Sequence, residues 1–149
     1  ERYAESSTFA PGDTAVVVDL PWGKLGLTIC YDLRFPSLFR DLAQAGADMI
    51  TVPSAFTQVT GEAHWHVLLR SRAIETGAFV FAPAQTGTHP ADRKTFGHAL
   101  IVDPWGKVIA DAGTEPGFVS ATIDMTDVDR TRKKMPSLGH DRPFTRVSE

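Results

Sequence analysis

Apolar residues fall in short runs separated by turn-forming tetrads, and the period of each run assigns its element. Residues 1–13 form a polar lead-in ending in the turn signal Pro11-Gly12-Asp13. Thr14 to Leu20 is rich in valine and predicts a strand. The turn Pro21-Trp22-Gly23-Lys24 follows, and Leu25 to Ile29 predicts a second strand. Pro36 to Ala45 predicts a helix, because proline suits a first helical turn and Leu38, Phe39, Leu42 and Ala45 recur at helical spacing. Gly46 supplies its C-terminal stop. Asp48 to Pro53 is the short apolar run of a buried strand.

Residues 54–61 predict a loop, and a long helix follows from about Glu62 to Thr76. Its buried face is Trp65, Leu68, Leu69 and Ala73, and Gly77 ends it. Phe79 to Pro83 predicts a strand, and residues 84–95 an exposed polar loop. His98 to Val102 and Lys107 to Ala110 predict strands joined by Asp103-Pro104-Trp105-Gly106, whose proline and glycine suit a type I turn. Phe118 to Ile123 predicts the last strand and Thr126 to Lys134 a terminal helix. The recurrence of Pro-Trp-Gly-Lys at 21–24 and 104–107 reads as one turn chemistry used in two hairpins, too irregular for a repeat architecture. Strands alternating with helices, then strands alone, predict an α/β layered fold with antiparallel strands toward the end.

Composition narrows the class. With 42% hydrophobic and 22% charged residues, the 149-residue chain is ordinary globular material, one domain or part of one. A net charge of −3 with scattered basic residues excludes a nucleic-acid footprint. Even the cluster Arg130, Arg132, Lys133, Lys134 sits beside Asp127 and Asp129. No apolar run reaches the length of a membrane span, and Glu1 to Ser7 is unlike a signal peptide. A single cysteine forbids an internal disulfide, so a reducing, cytoplasmic setting is expected. The start at Glu1 in place of Met leads us to expect a processed or truncated chain.

That one cysteine, Cys30, follows a predicted strand and precedes a helix by a few residues. A strand-to-helix turn lifts a side chain out of a sheet, and the start of a helix offers free N–H groups and a positive dipole end. Both favour a thiolate and an oxyanion. The same position also suits a small buried hydrophobe. A nucleophilic thiol needs a base, and the histidines are His64, His66, His89, His98 and His140. Spacing ties none of them to Cys30; His64 and His66, two apart on a helix, face different directions. No spacing resembles a zinc site.

The stretch Leu27-Thr28-Ile29-Cys30-Tyr31-Asp32-Leu33-Arg34-Phe35-Pro36 resembles the nucleophile segment of the nitrilase superfamily, the carbon–nitrogen hydrolases. Further matches follow in order: Pro53 to Thr57, Thr60 to Trp65, Arg70 to Glu75, Gly97-His98, and Val102 to Gly106. Within the superfamily the likeness is to the Nit branch, and Ala82-Pro83-Ala84-Gln85 leans toward its members acting on deaminated glutathione.

The resemblance implies a four-layer α-β-β-α sandwich that forms a homodimer or higher homo-oligomer. It implies a Glu-Lys-Cys catalytic set with no metal or other cofactor. The substrate would be a small ω-amide of a 2-oxo acid, hydrolysed through a thioester. Cys30 matches the nucleophile, Glu5 matches an additional glutamate that orders the site, and the backbone N–H of Tyr31 would join the oxyanion hole. Arg34 would grip the substrate carboxylate, unless it forms a structural ion pair with Asp32 or another acid. Phe56 and Thr60 match pocket-lining positions, although Phe56 also suits plain core packing and Thr60 an N-cap before Glu62. Position 37, glutamate in many relatives, is serine here.

The family's general-base glutamate and its lysine have no match, so the expected domain lacks its N-terminal part, and that segment is a candidate partner. Lys24, Lys94 and Lys107 read as solvated surface charges, and Glu62 as a first-turn acid facing the helix dipole. Two alternatives accompany the amidase reading. One is a catalytically silent fragment or scaffold, and the other an acyl- or carbamoyl-processing relative with the same fold.

Overall fold

A computed structural model of the chain describes residues 7–145. Among these residues eight strands, β1 (Val16–Leu20), β2 (Gly23–Leu27), β3 (Met49–Thr51), β4 (Phe79–Ala82), β5 (Thr86–His89), β6 (Arg93–Phe96), β7 (Leu100–Val102) and β8 (Val108–Asp111), form two sheets. The larger has the order β1-β2-β3-β4-β7-β8, and β5-β6 is a separate ribbon. β2, β3 and β4 run parallel, while β1 and the β7–β8 hairpin pair antiparallel at the two sides. Parallel neighbours require crossovers, and helices supply them. α1 (Pro36–Gln44) joins β2 to β3, and α2 (Gln58–Thr60), a π turn (Gly61–Trp65) and α3 (His66–Thr76) join β3 to β4. α4 (Thr126–Lys134) comes last.

Alternation along the strands sorts the core. Ile50, Val80, Ala82, Leu100 and Val102 pack with Leu33, Phe39, Leu42, Trp65, Leu69 and Ala73 from the helical layer. Met49 and Phe79, one residue out of phase, join Val128 of α4 in a second cluster. Arg132 ties α4 down by donating to the carbonyls of Thr76 and Ala47. No helix among the described residues is long and apolar enough to cross a membrane.

The predicted α/β layering and antiparallel end hold, as do both hairpins and α4 at its predicted bounds. Gly77 ends α3 in the left-handed region, at φ 57°, where glycine has no Cβ penalty. Five details differ. The helical run before β4 begins at Gln58, not near Glu62. Gly61 reads as a loop residue in sequence but lies in the run, where the backbone closes against the Phe96 side chain and leaves no room for a Cβ. Residues 84–95 contain the β5–β6 ribbon, whose polar sequence has no apolar alternation to announce it; its ladder is carried by the backbone and by a bridge from Thr57 to Thr95. Residues 118–123 make no ladder, and Phe118 is 90% exposed. In α1, Ala43 rather than Ala45 completes the buried stripe with Phe39 and Leu42.

Candidate active site

The parallel strands end together, and the segments leaving their carboxyl ends form an open pocket of ≈ 460 Å³. Ile29 and Cys30 follow β2, Pro53, Ser54 and Ala55 follow β3, and Pro83, Ala84 and Gln85 follow β4. Ligands of open α/β sheets bind at this end of the strands. Parallel pairing continues past the ladder, since Thr28 N–H donates to the Thr51 carbonyl (3.2 Å) and Cys30 N–H to the Pro53 carbonyl (2.8 Å). The Thr28 hydroxyl donates to the same Thr51 carbonyl at 2.8 Å.

Cys30 then leaves the sheet abruptly. Its φ is +45°, a left-handed conformation that costs a non-glycine residue about 1–2 kcal/mol. The half-buried thiol opens a 3₁₀ turn, Cys30–Arg34, and lines the pocket. Two devices hold this turn. The Asp32 carboxylate accepts the Ile29 N–H at 2.8 Å, while Asp32 N–H donates to the Ile29 carbonyl at 2.9 Å. Behind it the Arg72 guanidinium, 5% exposed, donates to the Leu33 carbonyl from Nε (3.1 Å) and Nη2 (2.9 Å). Arg72 also reaches Glu75 at 2.9 Å and lies over the Phe39 ring.

Asp32 therefore serves the turn and does not pair with Arg34. Arg34 donates from Nη1 to His64 Nδ1 (3.3 Å), and its guanidinium lies 5.2 Å from the Phe56 ring centroid and 5.7 Å from that of Tyr31. No carboxylate among the described residues forms an ion pair with it. Phe56 is buried, with its ring 4.8 Å from Trp65, so it packs in the core and contacts Arg34 from there. Thr60 lies inside the helical run and is not its N-cap; its hydroxyl meets that of Thr57 at 2.9 Å. Arg34, Phe56 and Thr60 do not line the pocket at Cys30. Glu62 stands in the π turn, beyond the first turn of the run, and accepts from the exposed Gln58 side chain at 3.1 Å. Glu5 lies outside the described residues.

No histidine among those described bonds to Cys30. His64 and His66 face apart, His64 toward Arg34 and His66 toward Asp111, while His89 meets the Thr95 hydroxyl. Lys24, Lys94 and Lys107 are exposed, with Lys24 3.6 Å from Asp19. Among the described residues the pocket wall thus offers a thiol and no charged side chain.

Two features escaped the sequence. Arg72 sits within a matched block but is separated from Leu33 by thirty-nine positions. His66, His98 and Asp111 converge on one point although nothing in their spacing announces it.

A family model described as "Carbon-nitrogen hydrolase" matches residues 1–133. Deaminated glutathione amidase of Yersinia enterocolitica is 52% identical over 144 residues, which cover 95% of this chain and 49% of that protein. The Homo sapiens protein of the same name is 49% identical over 93% of this chain and 43% of its own length. The chain spans about half the length of the curated relatives it matches. Among solved structures, the C. elegans NitFhit protein superimposes with a TM-score of 0.90 at 45% identity, covering 95% of this chain and 35% of that one. Saccharomyces cerevisiae Nit3, a member of branch 10 of the nitrilase superfamily, gives 0.83 at 38% identity over 89% and 49%. With its nitrilase-like α/β fold, this chain belongs to the carbon–nitrogen hydrolase family.

Proposed function

We propose that this chain carries the nucleophile of a cysteine-dependent amidase acting on a small ω-amide of a 2-oxo acid, such as deaminated glutathione. The Cys30 thiolate attacks the amide carbonyl carbon, and the carbonyl π pair moves onto oxygen. The Tyr31 backbone N–H steadies that oxyanion. Collapse breaks the C–N bond, the nitrogen takes a proton and leaves as ammonia, and a thioester remains. Water then adds to the thioester and releases the acid and the thiol. Arg34, held by stacking and by His64 with no acid partner among the described residues, supplies a cation for the substrate carboxylate. The observation that carries this reading is a positive-φ cysteine lining an open pocket at the carboxyl ends of three parallel strands.

The proposed base and lysine lie beyond that pocket wall, with Glu5 of this chain ordering the site. Self-association into a homodimer is part of the same proposal; it is supported by Val67 and Ile74, exposed apolar residues seven apart on α3. A cytoplasmic setting fits a single free thiol.

The test is Cys30→Ala in the enzyme supplied with its full catalytic set. Ammonia release from glutaramate-type amides should fall by at least about a thousandfold, and intact mass should reveal the thioester only in the parent; retained turnover would end the proposal. A second reading, a catalytically silent fragment or scaffold, is favoured by a pocket wall that is uncharged among the described residues. Robust turnover by these 149 residues alone would rule it out.

A further inference from the structure

We propose that His66, His98 and Asp111 form a binding site for a divalent transition metal of the zinc type, separate from the pocket at Cys30. The ligand atoms come from three elements: His66 opens α3, His98 precedes β7, and Asp111 ends β8. His66 Nε2 lies 3.2 Å from Asp111 Oδ2, and His98 Nδ1 lies 2.9 and 3.1 Å from the two carboxylate oxygens. The three ligand atoms are all within 4.8 Å of one another. Zinc bound tetrahedrally at about 2.0–2.1 Å separates neighbouring ligand atoms by about 3.3 Å. An ion therefore enters between these groups with shifts of tenths of an ångström to about one ångström. Two imidazoles and one carboxylate are a recognised donor set for zinc and for ferrous iron, leaving a further coordination position open.

The ligands are also held in place, as a metal site requires. His98 has φ +55°, a left-handed conformation that a non-glycine residue adopts only under constraint from its surroundings. Here its N–H donates to the Gly113 carbonyl (2.7 Å), and its carbonyl accepts the Trp65 indole N–H (2.7 Å). Its ring stacks on Phe96 at 4.5 Å. Asp111 is fixed by the Gly113 N–H, which donates to Oδ1 at 2.8 Å. The His66 ring stands edge-on to both Phe96 and His98. This arrangement turns Nδ1 of one imidazole and Nε2 of the other toward one carboxylate, at side chains between 25% and 35% exposed, open to an ion from solvent. None of the three lines the Cys30 pocket. A bound ion would bridge the start of α3 to the β7–β8 hairpin, so binding stabilises the fold by mass action.

The experiment uses the full chain with Cys30→Ala, because a thiolate is itself a zinc ligand. Zinc is titrated against a chromophoric chelator at neutral pH, and Co²⁺ absorption is recorded in parallel. The expected result is one saturable equivalent, a rise in thermal midpoint with zinc, and a visible Co²⁺ band of low-symmetry nitrogen–oxygen coordination. His66→Gln and Asp111→Asn should each weaken binding by at least about tenfold. Melting curves in EDTA establish that each variant is folded. Absence of a saturable equivalent, or undiminished binding by folded His66→Gln, overturns the site. If neither variant folds, the Co²⁺ spectrum of the Cys30→Ala chain decides: a spectrum identical to the aqueous ion overturns it.

Discussion

Replacing Arg72 with methionine tests whether the turn that presents Cys30 is braced from behind. The substitution keeps much of the buried aliphatic stem and removes the guanidinium. Two hydrogen bonds to the Leu33 carbonyl disappear, at 3.1 and 2.9 Å, along with the contact over the Phe39 ring. Hydrogen bonds from a charged donor contribute about 1.5–3 kcal/mol, but these two share one acceptor and do not add fully. The stranded Leu33 carbonyl, on a residue with no exposed surface, adds about 1–3 kcal/mol of desolvation. Against this, methionine buries without the cost of a desolvated charge. The balance is a loss of about 2–4 kcal/mol, or about 6–12 °C in melting temperature for a domain of this size. Urea unfolding should show a lower midpoint at unchanged slope. Iodoacetamide should alkylate Cys30 at a changed rate under conditions where the variant remains folded. A stability loss under about 0.5 kcal/mol with unaltered alkylation would refute the bracing argument.

Two further expectations follow from packing and charge. Gly61→Ala drives a methyl into the Phe96 side chain, so the helical run and the β5–β6 ribbon must separate, at about 1–3 kcal/mol by chemical denaturation; a neutral result would mean that this contact yields freely. Stability should also fall in acid. Asp141 is held below its ordinary value of 3.8 by Gln44 and Arg40, and Asp124 by Thr126. At Asp111 burial pushes upward, but the Gly113 N–H and the two imidazoles together pull it below 3.8. A carboxylate depressed in the folded state stabilises fully above its unfolded value, and that contribution vanishes as pH drops through the folded value. Melting temperature should therefore hold level down to about pH 5 and decline below about pH 4, with a shallower decline in Asp141→Asn.

The difference between what the sequence disclosed and what it concealed is a difference of range. Cys30 was legible as the residue that leaves the sheet because part of what displays it is local: a strand ends, a positive φ turns the chain, and Asp32 closes the turn over three residues, whereas the Arg72 brace and the Pro53 carbonyl that accepts its N–H come from far along the chain. α4 and the Asp103–Gly106 turn were legible from local signals, the acids of the first turn and bases of the last in α4, and in the turn the Asp103 carboxylate that accepts the Trp105 and Lys107 N–H groups. The β5–β6 ribbon was not, because its backbone pairing leaves no apolar period to read. Phe118 misled in the opposite sense: β-rich composition predicted a strand where residues 118–123 pair with no strand among the described residues. Arg34 shows the middle case. Sequence proximity offered Asp32 as its partner, yet Asp32 is consumed by the Ile29 N–H, and the guanidinium turns to rings and an imidazole brought from β3's exit and the π turn. An arginine whose nearest acid is already committed remains a cation available to a ligand. Under the proposed amidase reading, a substrate carboxylate would meet Arg34 without breaking an ion pair among the described residues.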